Sequence, residues 1–531
     1  MVSPAPLSFE LPYRSARQPV LGRQAVATSH PAAAQVGMNV LERGGNAIDA
    51  AIAVAATLSV VEPTMNGLGG DLFALVWDGS KLHGLNASGR APEAWSPERF
   101  AGLQRMPELG WDSVTVPGAV SGWAALWQRF GTEPFARLLE PAIDYALNGF
   151  PVLPKMAALW ALAAERFRAF PEFQRVFLPG GRSPLPGEWF RLPDLGESLS
   201  AVAASTGRAF YEGQLARRMA DAAARAAAAL TLDDLARHEA NWVEPISVGF
   251  RDARLCELPP NGQGLAALLA LGILQHRAEA ERAPEDADTV HVQIEAMKLA
   301  FADCRQHVAD PRLMRLSLDE LLAPSRLAAL AERIELGRAE PHRQGPARDH
   351  GTVYATTADR AGRMVSLIQS NYLGFGSGVV VPGTGISLQN RGLGFSLEPG
   401  HPNRVQGGMR PYHTIMPGFL LRAGEPSLSF GVMGGHMQPQ GHVQIALRSV
   451  LHGQNPQTLC DAPRWYVAEE SEVALEPELA HHVEQSLRER GHRIVTEPDT
   501  LLFGGAQVIQ RIPGGYCAGS DPRKDGQALG S

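Results

Sequence analysis

A chain of 531 residues, 45% hydrophobic and 19% charged, has the composition of a protein that buries a large core. That excludes a disordered or fibrous chain and leaves one large folding unit or two closely packed ones. The formal net charge of -7 is spread over 48 basic and 55 acidic residues without a Lys/Arg block, so the electrostatic footprint of a nucleic-acid binder is absent.

In chain order, the first twenty residues lack a basic region followed by an apolar one, and the longest near-apolar stretch, 50–61, is too short to span a bilayer. A cytoplasmic protein with no membrane partner is expected. Residues 30–62 carry apolar residues at helical spacing interrupted at Gly44-Gly45, which predicts two helices joined by a glycine C-cap. Alternation around Asp78-Gly79 over 71–89 predicts a β-hairpin. Helices are expected over about 118–240 and over 289–308, then a polar Gly/Pro/Arg-rich linker at 337–351. Strands return at 352–358, 363–370, 428–433 and 505–510, with helices near 439–451 and 477–490. The pattern predicts an α+β fold whose sheets are assembled from both ends of the chain. Cys256, Cys304, Cys460 and Cys517 form no CxxC pair and read as buried free thiols.

The hairpin after the linker carries the chemistry. With Asp359 to Gly362 as its loop, Ala358 faces Arg363, and counting back sets Thr352 opposite Gln369, within a residue of Ser370. Two hydroxyls therefore meet at the start of one strand and the end of its partner. A Thr–Ser pair is also an ordinary cross-strand contact. However, cleavage of the Gly351–Thr352 bond would give Thr352 a free α-amine able to act as base for its own hydroxyl. A glycine before it permits the strained backbone such a cut requires.

The segments "GGNAIDAAIAVAATLSVVEP", "NGLGGDLF", "SVTVPGAVSGW", "PPNGQG", "EAMKLAFAD", "TVYATTADRAG", "GFGSGVVVPGTGISLQN", "RPYHTIMPGF", "GVMGGHMQPQGH" and "GSDPRKDG", in this order, resemble the γ-glutamyltransferase family of N-terminal-nucleophile hydrolases. The resemblance implies a four-layer αββα sandwich and a proenzyme that cuts itself into a large subunit, 1–351, and a small catalytic subunit, 352–531, which stay associated. It implies Thr352 as nucleophile, Ser370 as its hydroxyl partner and the backbone amides of Gly434 and Gly435 as the oxyanion hole. The substrate-binding set it implies comprises Arg90, Arg391, Asn371, Tyr372, His413 and Thr414, with a small-molecule amide such as glutathione as substrate and neither cofactor nor metal.

Three departures bear on specificity. The family's carboxylate-binding Arg aligns with Ser88, leaving Arg90, about 7 Å along the same strand face, as a displaced anchor. The Asp that binds a substrate α-ammonium aligns with Gly394, and Arg391 stands at a position usually uncharged or acidic. The segment between Phe395 and Arg410 is shorter than the family's lid, which favours hydrolysis over transfer. γ-Glutamyl amides and small anionic acyl amides of glutaryl or oxamate type therefore both remain open, as does a non-catalytic binding relative. The near-dinucleotide pattern at 262–267 stands without a βαβ unit and reads as a helix start. His436, His442, His481 and His482 form no HExxH set, and there is no GxSxG elbow.

Overall fold

The computed structural model describes residues 16–340, 351–468, 472–497 and 499–531. Two seven-stranded sheets stack face to face. One runs Gln527–Gly530, Ala25–Thr28, Val353–Ala358, Met364–Ser370, Asp71–Trp77, Leu82–Ala87, Asn241–Val243. The other runs Val20–Gly22, Gly515–Ser520, Gly505–Ile512, Glu425–Met433, Gly418–Arg422, Ala253–Glu257, Ile246–Phe250. Neighbouring strands in both are antiparallel.

The strand period of two sorts side chains into layers. From Val353–Ala358, Val353 and Ala355 face the helices Pro31–Glu42 and Ala47–Val61, whereas Tyr354 and Ala358 face the other sheet and meet Phe419, Met433 and Ile509. Helices Gly264–Leu274, Ala287–His307 and Met437–His452 cover the second sheet. The result is the expected αββα sandwich. Helix Ala47–Val61 is buried on every face, and a capping box of Asn46 and Asp49 satisfies its first amides.

Both predicted hairpins form, and the Gly44 break lies in the left-handed region at φ 101°. The register of the second differs by one residue. The loop runs Asp359 to Arg363, so Ala358 pairs with Met364 and Val353 with Gln369. Asp359 is the cause: its Oδ1 accepts from the amides of Ala361 and Arg363, and its own amide donates to the Arg363 carbonyl. This wider turn brings Thr352 level with Ser370 rather than Gln369. Strands 20–22, 25–28, 241–243, 246–250, 253–257, 418–422, 515–520 and 527–530 are additions to the sequence reading. Most of the linker, 341–350, lies outside the described residues. The four cysteines are buried free thiols, and no helix among the described residues is long and apolar enough to cross a membrane.

Each sheet contains strands from both sides of the Gly351–Thr352 bond, hydrogen-bonded to one another. The nucleophile-candidate strand is third in its sheet, held by Ala25–Thr28 and Met364–Ser370.

Candidate active site

Thr352 is 2% exposed at the mouth of its strand. Its Oγ1 donates to the Gly351 carbonyl and lies 3.3 Å from Ser370 Oγ. Ser370 Oγ donates to the same carbonyl at 2.8 Å and accepts from the Tyr372 amide at 2.8 Å. Gly351 has φ 135°, and a Cβ there would stand 2.3 Å from the Tyr372 carbonyl. Only glycine fits.

Tyr372 itself adopts φ 76°, a strained value for a residue with a side chain. The Arg391 guanidinium lies 4.4 Å from its ring centroid and donates to Thr414 Oγ1 at 2.6 Å. Gly434 and Gly435 follow strand Glu425–Met433 with φ 114° and 52°. The Met437 amide donates to the Gly434 carbonyl at 2.8 Å. Since C=O and N–H of one peptide point opposite ways, the Gly435 N–H is aimed away from the helix that starts there.

Tyr372, Arg391 and Thr414 are thus brought together beside Ser370. The side chains of the other predicted binding residues are engaged with other partners or turned inward. Arg90 bonds Asp310 and the Gly408 carbonyl, each at 3.3 Å. Asn371 is fully buried, its carboxamide enclosed against Gly67 and Gly70. His413 is fully buried too, with Nε2 3.0 Å from Asp71 Oδ2. The Ile415 amide donates to His413 Nδ1, so Nε2 carries the proton and donates to Asp71. Burial, helped by the nearby guanidiniums of Arg391 and Arg410, holds the imidazole well below its usual range and therefore neutral.

Asp71 was not singled out by sequence, although it lies within "NGLGGDLF". It pairs with Ser370 across the sheet, and its Oδ1 accepts at 3.0 Å from the amides of Gly89 and Gly118 and from Gln389 Nε2. Burial pushes its carboxyl up to about 7 against the pull of Arg391 and these donors. Ser88 lies beside a second arginine that local sequence could not reveal: Arg410 Nε donates to the Ser88 carbonyl at 2.9 Å. At Gly394 a Cβ would meet the Tyr412 carbonyl at 2.3 Å, so the position is closed to any carboxylate side chain.

A cleft of about 1080 Å³ opens over Tyr372 and Leu373, lined also by Thr64, Gly394, Tyr412 and His436. The segment 395–410 does not cover it. The Ser396 amide donates to the Asn403 carbonyl and the Val405 amide to the Ser396 carbonyl, and Gly407 and Gly408 donate to the carbonyls of Trp95 and Ala91, so the loop folds back and lines the cleft as one wall. Gly262 and Gly264 make room for Phe73 and Glu257 rather than for a phosphate. His442 is fully buried against Glu257 at 2.7 Å, while His481 and His482 are exposed.

One cluster was missed. His291, Glu295 and His492 place ligand atoms within 4.8 Å of one another. Lys298 Nζ stands in their midst, donating to Glu295 Oε1 at 2.7 Å and His492 Nδ1 at 3.4 Å. His291 Nε2 faces the Glu335 carbonyl and so carries a proton, and His492 Nε2 completes the chain by donating to His291 Nδ1 at 2.7 Å. The ammonium thus engages two of the three candidate ligands, Glu295 and His492.

The four-layer sandwich, with a buried hydroxyl opening a central strand, is the architecture of the N-terminal-nucleophile hydrolases. The chain belongs to the gamma-glutamyltranspeptidase family, which it matches over residues 33–531. It is 36% identical to the glutathione hydrolase-like YwrD proenzyme of Bacillus subtilis, over 96% of this chain and 98% of that one. It is 37% identical to the oxamate amidohydrolase proenzyme of Klebsiella pneumoniae, over 94% and 97%. Among solved structures, a cephalosporin acylase from Bacillus halodurans superposes with a TM-score of 0.93 at 44% identity, covering 100% of this chain and 99% of that one.

Proposed function

We propose that this enzyme is a self-processing amidohydrolase with Thr352 as its nucleophile. The observation that carries the reading is the convergence of Thr352 Oγ1 and Ser370 Oγ on the Gly351 carbonyl oxygen, at a glycine whose left-handed backbone only glycine can adopt there.

In maturation, Thr352 Oγ1 adds to the Gly351 carbonyl carbon. The developing oxyanion is met by the Ser370 hydroxyl, the Oγ1 proton passes to the Thr352 nitrogen, and the C–N bond to Thr352 breaks to leave an ester and a free amine. Water then hydrolyses the ester, releasing the Gly351 carboxylate from Thr352, whose α-amine is now free. The large and small subunits stay together because each sheet interleaves strands from both.

In turnover, the α-amine takes the Thr352 hydroxyl proton as Oγ1 attacks the substrate amide, then passes it to the departing amine. Water releases the acyl group from Thr352. The amides of Gly434 and Gly435 serve as the oxyanion hole, the Gly435 N–H being aimed by the pinned Gly434 carbonyl. The open cleft favours water as acceptor.

For the acyl group, we favour small anionic amides without an α-amine, of glutaryl or oxamate type. A substrate ammonium finds no carboxylate at 394, where the Tyr412 carbonyl excludes one, and Arg391 stands behind Tyr372. The relative that hydrolyses oxamate supports this reading. γ-Glutamyl amides are the second reading, supported by family membership. The test is kcat/KM for glutaryl-anilide against γ-glutamyl-anilide on the matured enzyme, repeated with Arg391→Ala. Preference for glutaryl, lost in the variant, is expected. A γ-glutamyl preference untouched by the variant would overturn the assignment of the acyl group.

A further inference from the structure

Two consecutive glycines cannot hold an oxyanion hole in shape by themselves. Glycine is the least self-restrained residue, and both Gly434 and Gly435 occupy left-handed conformations. Their geometry must be imposed from outside. The helix start supplies one constraint, through the Met437 amide on the Gly434 carbonyl.

The second comes from the "PPNGQG" segment. Gln263 is fully buried, and its Nε2 donates to the Gly435 carbonyl at 2.9 Å and to the Thr414 carbonyl. Two carbonyl acceptors on one side fix which end of the carboxamide is nitrogen. The oxygen end is consistent: Oε1 accepts from His436 Nδ1 at 3.1 Å and Tyr412 OH at 3.4 Å. The backbone of the segment is anchored as firmly. The Gln263 amide donates to the His413 carbonyl, and the His413 amide donates to the Asn261 carbonyl, each at 2.9 Å.

One carboxamide therefore joins two walls of the site. On one side is the peptide that follows the proposed oxyanion amides. On the other is Thr414, whose hydroxyl accepts from Arg391, which stacks on Tyr372, whose amide in turn donates to Ser370 Oγ.

We propose that Gln263 is a positioning residue for acyl transfer, fixing the Gly435 peptide and locking it to the Arg391–Tyr372 wall. The inference rests on the proposed function and concerns the geometry of the same site. It touches no reacting atom. Its loss lets the glycine pair relax, so it lowers transition-state stabilisation more than substrate binding.

The experiment uses three proteins, with rates counted per matured small chain. Gln263→Met keeps the shape and removes the donors. It is expected to lower kcat by at least about ten-fold while KM stays within about three-fold. Gln263→Glu sets a carboxylate against two carbonyl oxygens. Only its protonated form can donate to one of them, so the variant-to-wild-type ratio of kcat should rise as pH falls from about 9 to about 5. Loss of fold alone would not produce that recovery, and the profile stands even if Gln263→Met proves unstable. A kcat for Gln263→Met within about two-fold of wild type, or a flat ratio for Gln263→Glu, overturns the proposal. If active wild type accompanies an unaffected variant, only this inference falls. If the wild type hydrolyses none of the amides, the proposed function falls first and takes this inference with it.

Discussion

Removing the Ser370 hydroxyl separates its roles before and after maturation. In the precursor, Ser370 Oγ donates to the Gly351 carbonyl at 2.8 Å, accepts from the Tyr372 amide at 2.8 Å, and lies 3.3 Å from Thr352 Oγ1. In the proposed self-cleavage, the first contact meets the oxygen on which charge develops. A hydrogen bond to a charged acceptor contributes about 1.5–3 kcal/mol, which corresponds to roughly ten- to hundred-fold in rate. After cleavage the Gly351 contact ceases to matter, and the 3.3 Å approach to Thr352 is the weaker one. Ser370→Ala should therefore slow maturation more than turnover. The part-buried Tyr372 amide also loses the Ser370 acceptor, costing at most about 1–3 kcal/mol of stability. Precursor loss is followed over time on a denaturing gel, turnover is measured on the matured fraction, and Ser370→Thr serves as the hydroxyl-retaining control. A folded Ser370→Ala precursor that matures within about two-fold of the wild-type half-time would refute the reasoning.

Two further outcomes follow from the packing. Gly351→Ala puts a Cβ 2.3 Å from the Tyr372 carbonyl in a backbone at φ 135°, so maturation should stall while the chain still folds; normal processing, read as band ratio with time, would show that the glycine is not needed. Asp521, in the "GSDPRKDG" segment, is fully buried, and although burial alone would raise its carboxyl, Arg523, Arg464 and the Ala506 amide hold it down at about 2, from an ordinary 3.8. A depressed folded value means stability present above the unfolded value and lost as pH falls through the folded one, worth about 2 kcal/mol by linkage. Asp521→Asn should therefore lower the denaturant midpoint at pH 7, and the gap to wild type should narrow below about pH 3. A gap independent of pH would contradict the assignment.

How much of this was legible in sequence depended on whether the signal was local. Both catalytic-sheet hairpins could be read because alternation and an acidic turn residue lie within one short stretch. Strands Ile246–Phe250 and Gly515–Ser520 could not: the first is partly exposed and the second glycine-rich, so neither carries a clean alternation, although each pairs with its sequence neighbour, Ala253–Glu257 and Gly505–Ile512. Thr352 and Ser370 share one hairpin, so their juxtaposition could be read from spacing, apart from the residue of register that Asp359 adds to the turn. The contacts of Asp71, Gln263 and Arg410 could not be read, because each is made to a residue remote in sequence: His413, Gly435 and Ser88. Conversely, Asn371 and His413 lie beside binding positions in sequence but turn inward, one against the glycines at 67 and 70, the other onto Asp71.

The central claim is that Thr352 cuts the chain before itself and then serves as nucleophile. Intact-mass measurement of purified wild type and Thr352→Ala, with N-terminal sequencing of any small fragment, tests it most directly. Wild type should resolve into two chains, the smaller beginning at Thr352, and the variant should remain a single 57.0 kDa species. An active wild type that stays whole, or a variant that is cut at the same bond, would contradict the account.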